Sequence, residues 1–421
     1  MKSFLKYLGL LLMGIHGILH AQDAALFRGE TDSLRISVSG DINAGSTSLS
    51  NASWSNLMSG GYIDADKKNL IGGSLREVNL AGAQYRAEIS ALFSLRNLTS
   101  RDSVFGVGGI SYFNLEELRF GKPVALVALN GNHPYEGSEV TLKHLAYNRL
   151  EYQHLFIGAC KLSKTLHGIS RAGFTAGIAM GNRQMHIGID TGFLYTAPFG
   201  EYLSFYSVMQ FSRSAPETVR PFRYQGAGPA LGFFYHYQSD YGTRFGLMID
   251  QLGFIRWNAK SYSYSRDTTF TFEGIQTDNI FQMEPGWEKS LTPDTLDFWF
   301  NRHGTPHTHY TSLPARIQVY GEHHFAGSPF ALFAQAVWMP NTLMKPMFTC
   351  AIRWHILPSW AVARSYSWGG YSRFSSGLSL EFNGLKFWKI RLESHTLIPS
   401  LDPSALYKRH VAVGVVYQPA G

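Results

Sequence analysis

Long stretches of the chain alternate between polar and apolar residues. One example is KFWKIRLESHTLI, residues 386–398, in which the two kinds of side chain take opposite sides. A period of two predicts a β-strand with two unlike faces. Either the apolar face covers the core of a soluble antiparallel sheet, or it meets lipid in an outer-membrane barrel whose polar face lines a wet interior. The polar side of this example consists of Lys389, Arg391, Glu393 and His395.

Strand length favours the barrel. The same alternation occurs in residues 34–42, 83–95, 314–325 and 347–356. In all there are roughly fourteen to sixteen such segments, many of about ten residues or more. A strand that crosses a bilayer needs about 9–11 residues, whereas strands of soluble proteins average about 5–6. The chain is therefore expected to form a transmembrane antiparallel β-barrel.

Aromatic residues near the strand ends point the same way. An amphipathic ring at a strand end can lie at the level of the lipid headgroups. The alternative is that these rings are core anchors of a soluble sandwich. The residues concerned are Trp338, Trp354, Trp360, Trp368, Trp388 and Tyr417.

The amino terminus has the features of an export signal. Lys2 and Lys6 precede a mostly apolar run that ends near Ala21, which predicts a signal peptide over residues 1–21 with cleavage before Gln22. A membrane-anchoring helix is the alternative, although the run is short for a span. Residues 22–421 contain no evident linker, so one closed sheet is expected to form the whole remaining domain in the bacterial outer membrane.

Composition agrees with long β-hairpins. The chain has 14% aromatic and 16% charged residues and 42 glycines, a balance that suits strands better than helices. The net charge is +7, and loss of Lys2 and Lys6 would leave 7 − 2 = +5. Because the basic residues are scattered along strands and form no patch, nucleic-acid binding is not expected.

Several segments interrupt the alternation. Residues 52–75 and 115–138 predict short helical or loop insertions that either fold into the lumen as a hatch or lie at the surface. Residues 275–310 predict a long polar connection, a kind of loop that is often functional. Residues 174–190, FTAGIAMGNRQMHIGID, predict a hairpin that turns at Gly181-Asn182.

Recognisable chemistry is scarce. His303, His307 and His309 have irregular spacing and no neighbouring carboxylate or cysteine, so no metal site is expected. The sequence also has no nucleophile elbow and no credible phosphate-binding loop. Cys160 and Cys350 are expected to stay unpaired. The sequence therefore predicts neither an enzyme nor a cofactor.

The polar strand faces are the remaining candidate site. An Arg or Lys at the bilayer midplane costs about 2–4 kcal/mol, so in a barrel such residues must face the lumen. They then form either a wall that contacts a solute or a salt-bridged, filled interior. The candidate lumen-lining residues are Arg86, Glu88, Arg353, His355, Lys389, Arg391, Glu393 and His395.

Residues 222–258, FRYQGAGPALGFFYHYQSDYGTRFGLMIDQLGFIRWN, carry a resemblance to a known group of proteins. With the glycines Gly226 and Gly228, the later Phe272 to Gly274 and the earlier MHIGIDTGFLY, they resemble an uncharacterised family of Bacteroidetes-type outer-membrane proteins. That family is considered similar to the long-chain fatty-acid transporter (FadL-like) barrels. The resemblance extends from about residue 30 to the end of the chain. It implies an all-β barrel of about fourteen strands with an inward-folded segment, but no established activity.

Three functions follow as hypotheses. The first is a passive channel or transporter for small hydrophobic solutes. The second is a structural or accessory barrel for envelope assembly or protein secretion, with a plugged lumen. The third is a soluble periplasmic β-sandwich. The corresponding partners are outer-membrane lipid, a hydrophobic small molecule, and envelope or secretion proteins.

Overall fold

The computed structural model describes residues 34–50, 64–97, 102–214, 223–272, 306–385, 387–394 and 408–417. The strands in these ranges are β1 (Arg35–Ser46), β2 (Val78–Asn97), β3 (Asp102–Gly121), β4 (Glu139–Thr141), β5 (Leu145–Thr165), β6 (Gly168–Thr196), β7 (Leu203–Arg213), β8 (Gly226–Ser239), β9 (Thr243–Trp257), β10 (Tyr262–Phe272), β11 (Tyr310–Ser312), β12 (Arg316–His324), β13 (Phe330–Trp338), β14 (Lys345–Leu357), β15 (Trp360–Gly370), β16 (Phe374–Phe382), β17 (Trp388–Ser394) and β18 (Lys408–Tyr417). Two α-helices are α1 (Ala65–Ser74) and α2 (Lys122–Asn130), and two short 3₁₀ turns are His133–Tyr135 and Pro198–Gly200.

Fourteen of the strands close into a barrel. Its order is β1-β2-β3-β5-β6-β8-β9-β12-β13-β14-β15-β16-β17-β18, and β18 returns to pair with β1. The closing pair is antiparallel, with Ile36 opposite Tyr417 and Gly45 opposite Lys408. Closure leaves none of these fourteen strands at a sheet edge, which is the condition for strands to cross a bilayer. The predicted transmembrane barrel is confirmed. The soluble β-sandwich is wrong, because the described strands form one closed sheet.

An apolar belt surrounds the barrel. The five tryptophans that the sequence placed near strand ends are exposed on the outer wall, by 37% for Trp360 and 47% for Trp338. Trp360 and Trp368 lie eight residues apart on β15, or about 27 Å of strand and about 20 Å of height after barrel tilt. That height matches the band that an outer-membrane barrel presents to lipid. None of the helices in the described ranges has the length and apolar composition to cross a membrane.

The two ends of the barrel differ. At the end where β1 begins and β18 finishes, neighbouring strands are joined mostly by short turns, such as the one between Thr165 and Gly168. The longer insertions, including α1, α2, β7 and β10, all follow strands that finish at the other end. Short turns belong to the periplasmic side of outer-membrane barrels and long loops to the outside. The second end is therefore extracellular.

Strand β6 corrects one sequence prediction. The hairpin predicted at Gly181-Asn182 is wrong, because β6 runs unbroken from Gly168 to Thr196. Asn182 is instead an extra residue opposite the step from Glu151 to Tyr152 of β5, and thus a β-bulge. Below the bulge β6 pairs with β8, and above it β6 pairs with β7, which in turn pairs with β10. The bulge is the point at which an extracellular extension leaves the barrel.

The two helices lie against the outside of the extracellular rim. Residues 115–121, predicted to belong to an insertion, are instead the last part of β3. Ile71 of α1 and Leu126 of α2 pack with Leu118 and Phe120, which alternate along β3 with the lumen-facing Glu117. Of the two predicted alternatives, the structure therefore shows surface packing for these helices. Residues 51–63 and most of the predicted 275–310 connection lie outside the described residues, as does the predicted signal peptide.

We expect the depth of an outer-face position to set the cost of a charge there. Ile352 is exposed within the apolar belt on β14, and Ile356 is exposed beside the periplasmic turn of the same strand. Ile352→Arg should lower the free energy of unfolding by about 2–4 kcal/mol and Ile356→Arg by about 0–1 kcal/mol. Urea titration of each variant folded into liposomes measures both, and equal losses would contradict the assigned depth.

Candidate functional site: the barrel lumen

Three charged residues meet in the middle of the lumen. Arg86 of β2 donates from Nη2 to Glu88 Oε2 at 2.7 Å and to Asp250 Oδ2 of β9 at 2.8 Å. Arg86 and Glu88 are 5% and 6% exposed, and Asp250 is 15% exposed. Because β2 and β9 are five steps apart in the barrel order, the Arg86–Asp250 pair bridges the lumen. Two predicted residues, Arg86 and Glu88, thus lie together, and the sequence did not single out their partner.

A β-bulge explains how two consecutive residues, Asp250 and Gln251, both face the lumen. The pairing of β8 with β9 shifts between Leu231 and Phe233, so that two residues of β9, Asp250 and Gln251, oppose the single Gly232. Gln251 has φ of 59°, the left-handed conformation found in many bulges. Both consecutive polar side chains therefore have partners inside the barrel: Asp250 binds Arg86, and Gln251 Oε1 accepts from the Tyr152 hydroxyl at 2.5 Å.

A second charged network lies nearer the periplasmic end. Glu322 of β12 contacts Arg353 of β14 and lies 3.2 Å from Arg244 Nη1. Arg353 also lies 3.7 Å from Glu381 of β16. The predicted residue His355 is partly buried beside this network, and its ring centroid is 5.4 Å from that of His324. The predicted residue Arg353 of β14 therefore joins Glu322 of β12 to Glu381 of β16, and Glu322 also pairs with Arg244.

Strand β17 places its polar residues next to the same network. Arg391 pairs in register with Glu381, and its Nη2 lies 3.2 Å from Glu393 Oε2. Lys389 is exposed near the periplasmic end of the strand. His395 lies outside the described residues. The alternation in the KFWKIRLESHTLI segment thus places Arg391 and Glu393 on the lumen face, three strands from Arg86 on β2 and six from Asp250 on β9 in the barrel order.

The wall from β3 to β9 is largely apolar above and below the mid-lumen charges. On the extracellular side its buried residues pack with methionines of β14 and of the β13–β14 turn; this apolar cluster comprises Phe113, Leu115, Leu150, Tyr152, Ala179, Ala230, Ile255, Trp257, Leu313, Val337, Met339, Met344, Met347 and Tyr371. On the periplasmic side a second apolar cluster comprises Leu92, Phe105, Val107, Cys160, Leu162, Phe234 and Met248. Most of the charged network lies on the opposite wall, from β12 to β17, although Arg244 belongs to β9. Arg171 of β6 is a further buried charge beside the periplasmic cluster.

The space between the two clusters is small. A cavity of about 60 Å³ borders Arg86, Glu88 and Asp250 together with Val107 and Phe234. Its volume suffices for a few water molecules. A larger solute would need the Arg86–Asp250 pair to part before it could pass between the clusters.

One carboxylate ties the extracellular turns across the lumen. Glu117 of β3 accepts from the Tyr371 hydroxyl at 2.6 Å and from the Leu343 backbone N–H at 3.0 Å, and Asn148 Nδ2 donates to it at 3.3 Å. Tyr371 follows β15 and Leu343 follows β13, so both partners come from the far wall. The Glu117 contacts therefore hold two turns over the extracellular apolar cluster.

Sequence reasoning missed Asp250 and Glu117. Adjacent polar residues in the otherwise apolar GLMIDQLGF segment, Asp250-Gln251, were the available signal of a bulge. Glu117 lies in a segment that was interpreted as an insertion. The thiols follow the prediction: Cys160 is buried in the lumen, Cys350 is exposed on the outer wall, and both are free.

Comparison with known proteins identifies the family. Residues 39–389 match the profile of a family of unknown function, DUF5723, and the chain therefore belongs to that family. No curated protein matches the chain.

Solved structures of similar form include three outer-membrane proteins. The Pseudomonas putida toluene transporter TodX is 9% identical, with coverage of 96% of this chain and 94% of that one and a TM-score of 0.38. A Pseudomonas aeruginosa FadL homologue is 10% identical, covering 91% and 87%, at 0.33. The translocator domain of the Neisseria meningitidis autotransporter NalP is 10% identical, covering 99% and 97%, at 0.26.

Proposed function

We propose that this member of the DUF5723 family is a passive channel for small hydrophobic solutes. The observation that supports the proposal is the division of the lumen into two walls. The wall from β3 to β9 offers apolar surface at both ends, whereas most of the charged network lies on the opposite wall; Arg244 of β9 and the buried Arg171 of β6 are the exceptions. A hydrophobic solute could follow the apolar surface of each cluster, and would meet the Arg86–Asp250 pair between them. No residue is assigned a catalytic role.

The side chains of the extracellular cluster suit a variable apolar solute. Met339, Met344 and Met347 are buried there beside Trp257. Methionine is flexible and polarisable, and it adapts to ligands of different shape. Aromatic rings add a large apolar contact area. The Arg86–Asp250 pair, which lies beyond this cluster, would be the barrier that a solute has to open.

Uptake of a hydrophobic dye tests the proposal. N-phenylnaphthylamine fluoresces once it has crossed the outer membrane and reached phospholipid. We expect its fluorescence to rise several-fold faster in cells that produce the folded protein than in cells that lack it. Entry of the hydrophilic nitrocefin, measured with a periplasmic β-lactamase, should be unchanged, because the charged wall is closed by its own ion pairs. Unchanged dye uptake by cells with folded barrel would contradict a channel.

A structural barrel with a plugged lumen is the second candidate. The ion pair between Arg86 and Asp250 and the Glu117 contacts favour it, because both cross the lumen and both would stiffen the barrel.

A double substitution on β17 discriminates the two candidates. For a channel, we expect Arg391→Ala with Glu393→Ala to raise conductance in planar bilayers with little change in melting temperature, since two side chains leave the lumen and both partners of a largely buried pair are removed together. For a plugged barrel the melting temperature should fall and the bilayer stay silent. The control is Arg149→Ala with Glu116→Ala, an outer-face pair at a similar distance of 3.1 Å. A folded double variant that matches the control in both measurements would argue against a role for this pair.

A further inference from the structure

The outer wall has an apolar groove at the first strands of the barrel. Its volume is about 450 Å³, within the range of small-molecule sites. Gly40 of β1 and Ala87 of β2, which are opposite each other, form its floor. Tyr112 and Gln153 form one rim. The apolar side walls are Val38, Ile89, Ile110, Val413 and Val415.

The groove lies in the extracellular half of the apolar belt. Tyr85 is exposed on the outer face of β2, and Ala87 and Ile89 are the next two outer-face residues toward the periplasm. Further along the same strand, Phe93 and Leu95 continue the belt to the periplasmic end. A lipid that fills the groove would therefore belong to the outer leaflet.

Charged residues lie directly above the rim of the groove. Cross-strand register places Asn114, Glu151 and Arg183 in one row, two residues beyond Tyr112 and Gln153 on the same face. Two residues make a step of about 7 Å along a strand. The next row contains Glu116, Arg149, Met185 and Arg213. These rows lie above the apolar belt, at the height of lipid headgroups.

Arg183 is the unsatisfied member of these rows. Arg149 has a partner, since its Nη2 lies 3.1 Å from Glu116 Oε1. In the described part of the chain no carboxylate lies within 4.0 Å of the Arg183 guanidinium, which is partly buried. Arg149 and Arg213 repel the Arg183 guanidinium, and Glu151, its cross-strand neighbour, attracts it without contact. An anion bound between these arginines would relieve the repulsion.

We propose that the groove and the arginine rows form one binding site for a phosphorylated, multiply acylated glycolipid of the outer leaflet, of the lipid A class. A phosphate would bind Arg183 between Arg149 and Arg213, because a planar guanidinium matches phosphate oxygens. The acyl chains would fill the groove over Gly40 and Ala87. From β18 to β7 the site crosses six strand spacings, or about 29 Å, which suits a disaccharide with several chains better than a two-chain phospholipid.

Retention of lipid by the purified full chain tests the proposal. The protein in mild detergent is mixed with diphosphoryl lipid A, its dephosphorylated form or phosphatidylglycerol, and bound lipid is counted by native mass spectrometry. We expect the wild type to retain diphosphoryl lipid A about tenfold better than the dephosphorylated form. Arg183→Gln should abolish that preference. Gly40→Leu should reduce retention of both forms, since the new side chain fills the floor, where the Cβ itself meets only an ordinary contact at 3.5 Å.

Matched controls exist on the other side of the barrel. Arg256→Gln removes an exposed arginine from β9, and Gly321→Leu adds the same side chain to the outer face of β12, where the Cβ has its nearest contact at 3.9 Å. Both should keep wild-type retention. The proposal fails if the wild type ignores the phosphates, if it retains phosphatidylglycerol equally well, or if Arg183→Gln and Gly40→Leu behave like their controls. If a variant does not fold, the retention of the three lipids by the wild type is enough to decide.

Discussion

Arg86→Met should lower the free energy of unfolding by about 3–5 kcal/mol, the usual cost of removing one partner from a buried ion pair. The substitution leaves the Glu88 and Asp250 carboxylates in the lumen without the guanidinium that both contact at 2.7 and 2.8 Å. Their mutual repulsion adds to the lost attraction, because the interior screens charge less than water does. Urea titration of the barrel folded into liposomes measures the loss.

The control for Arg86→Met is Arg149→Met. Arg149 also pairs with a carboxylate, but its side chain is 28% exposed and that of Glu116 is 37% exposed. An exposed pair of this kind contributes about 1 kcal/mol or less. Losses of the same size for the two variants would mean that water reaches Arg86 as freely as it reaches the outer wall, and the mid-lumen barrier in the proposed channel would have to be abandoned.

The sequence predicts which side chains of a strand face the lumen wherever the alternation of polar and apolar residues is unbroken. Arg391 and Glu393 face the lumen and Leu392 is exposed on the outer wall, as the cost of charges in lipid requires. Barrel closure was likewise predictable, since strands of this length with polar inner faces leave no other way to satisfy the backbone. In these strands the local pattern and the fold agree.

The bulges could not be predicted, because one extra residue reverses the facing of everything that follows. Asn182 was interpreted as part of a turn, although β6 continues through it. Asp250 and Gln251 interrupt the alternation of polar and apolar residues because both bind partners in the lumen. Those partners, Arg86 and Tyr152, are far away in sequence. Contacts across a lumen depend on closure and register together, and a single strand does not encode them.

Glu117→Ala should raise uptake of N-phenylnaphthylamine by about tenfold or more. Glu117 receives hydrogen bonds from the Tyr371 hydroxyl and the Leu343 N–H, both from the far wall. Hydrogen bonds to a charged group contribute about 1.5–3 kcal/mol each, so their loss can shift the balance between held and released turns by about a hundredfold. Met339 and Met344 belong to the turn that contains Leu343, and its release would uncover the extracellular apolar cluster.

The neighbouring residue supplies the control for the Glu117 contacts. Glu116 is also a glutamate of β3, but it faces outward and pairs with Arg149. Glu116→Ala should therefore leave dye uptake at the wild-type rate. Glu117→Gln should give an intermediate rate, because the amide oxygen can still accept both bonds, which are weaker without the charge. If Glu117→Ala lowers the melting temperature while uptake and bilayer conductance stay at wild-type values, the turns stiffen a plugged barrel and do not gate a channel.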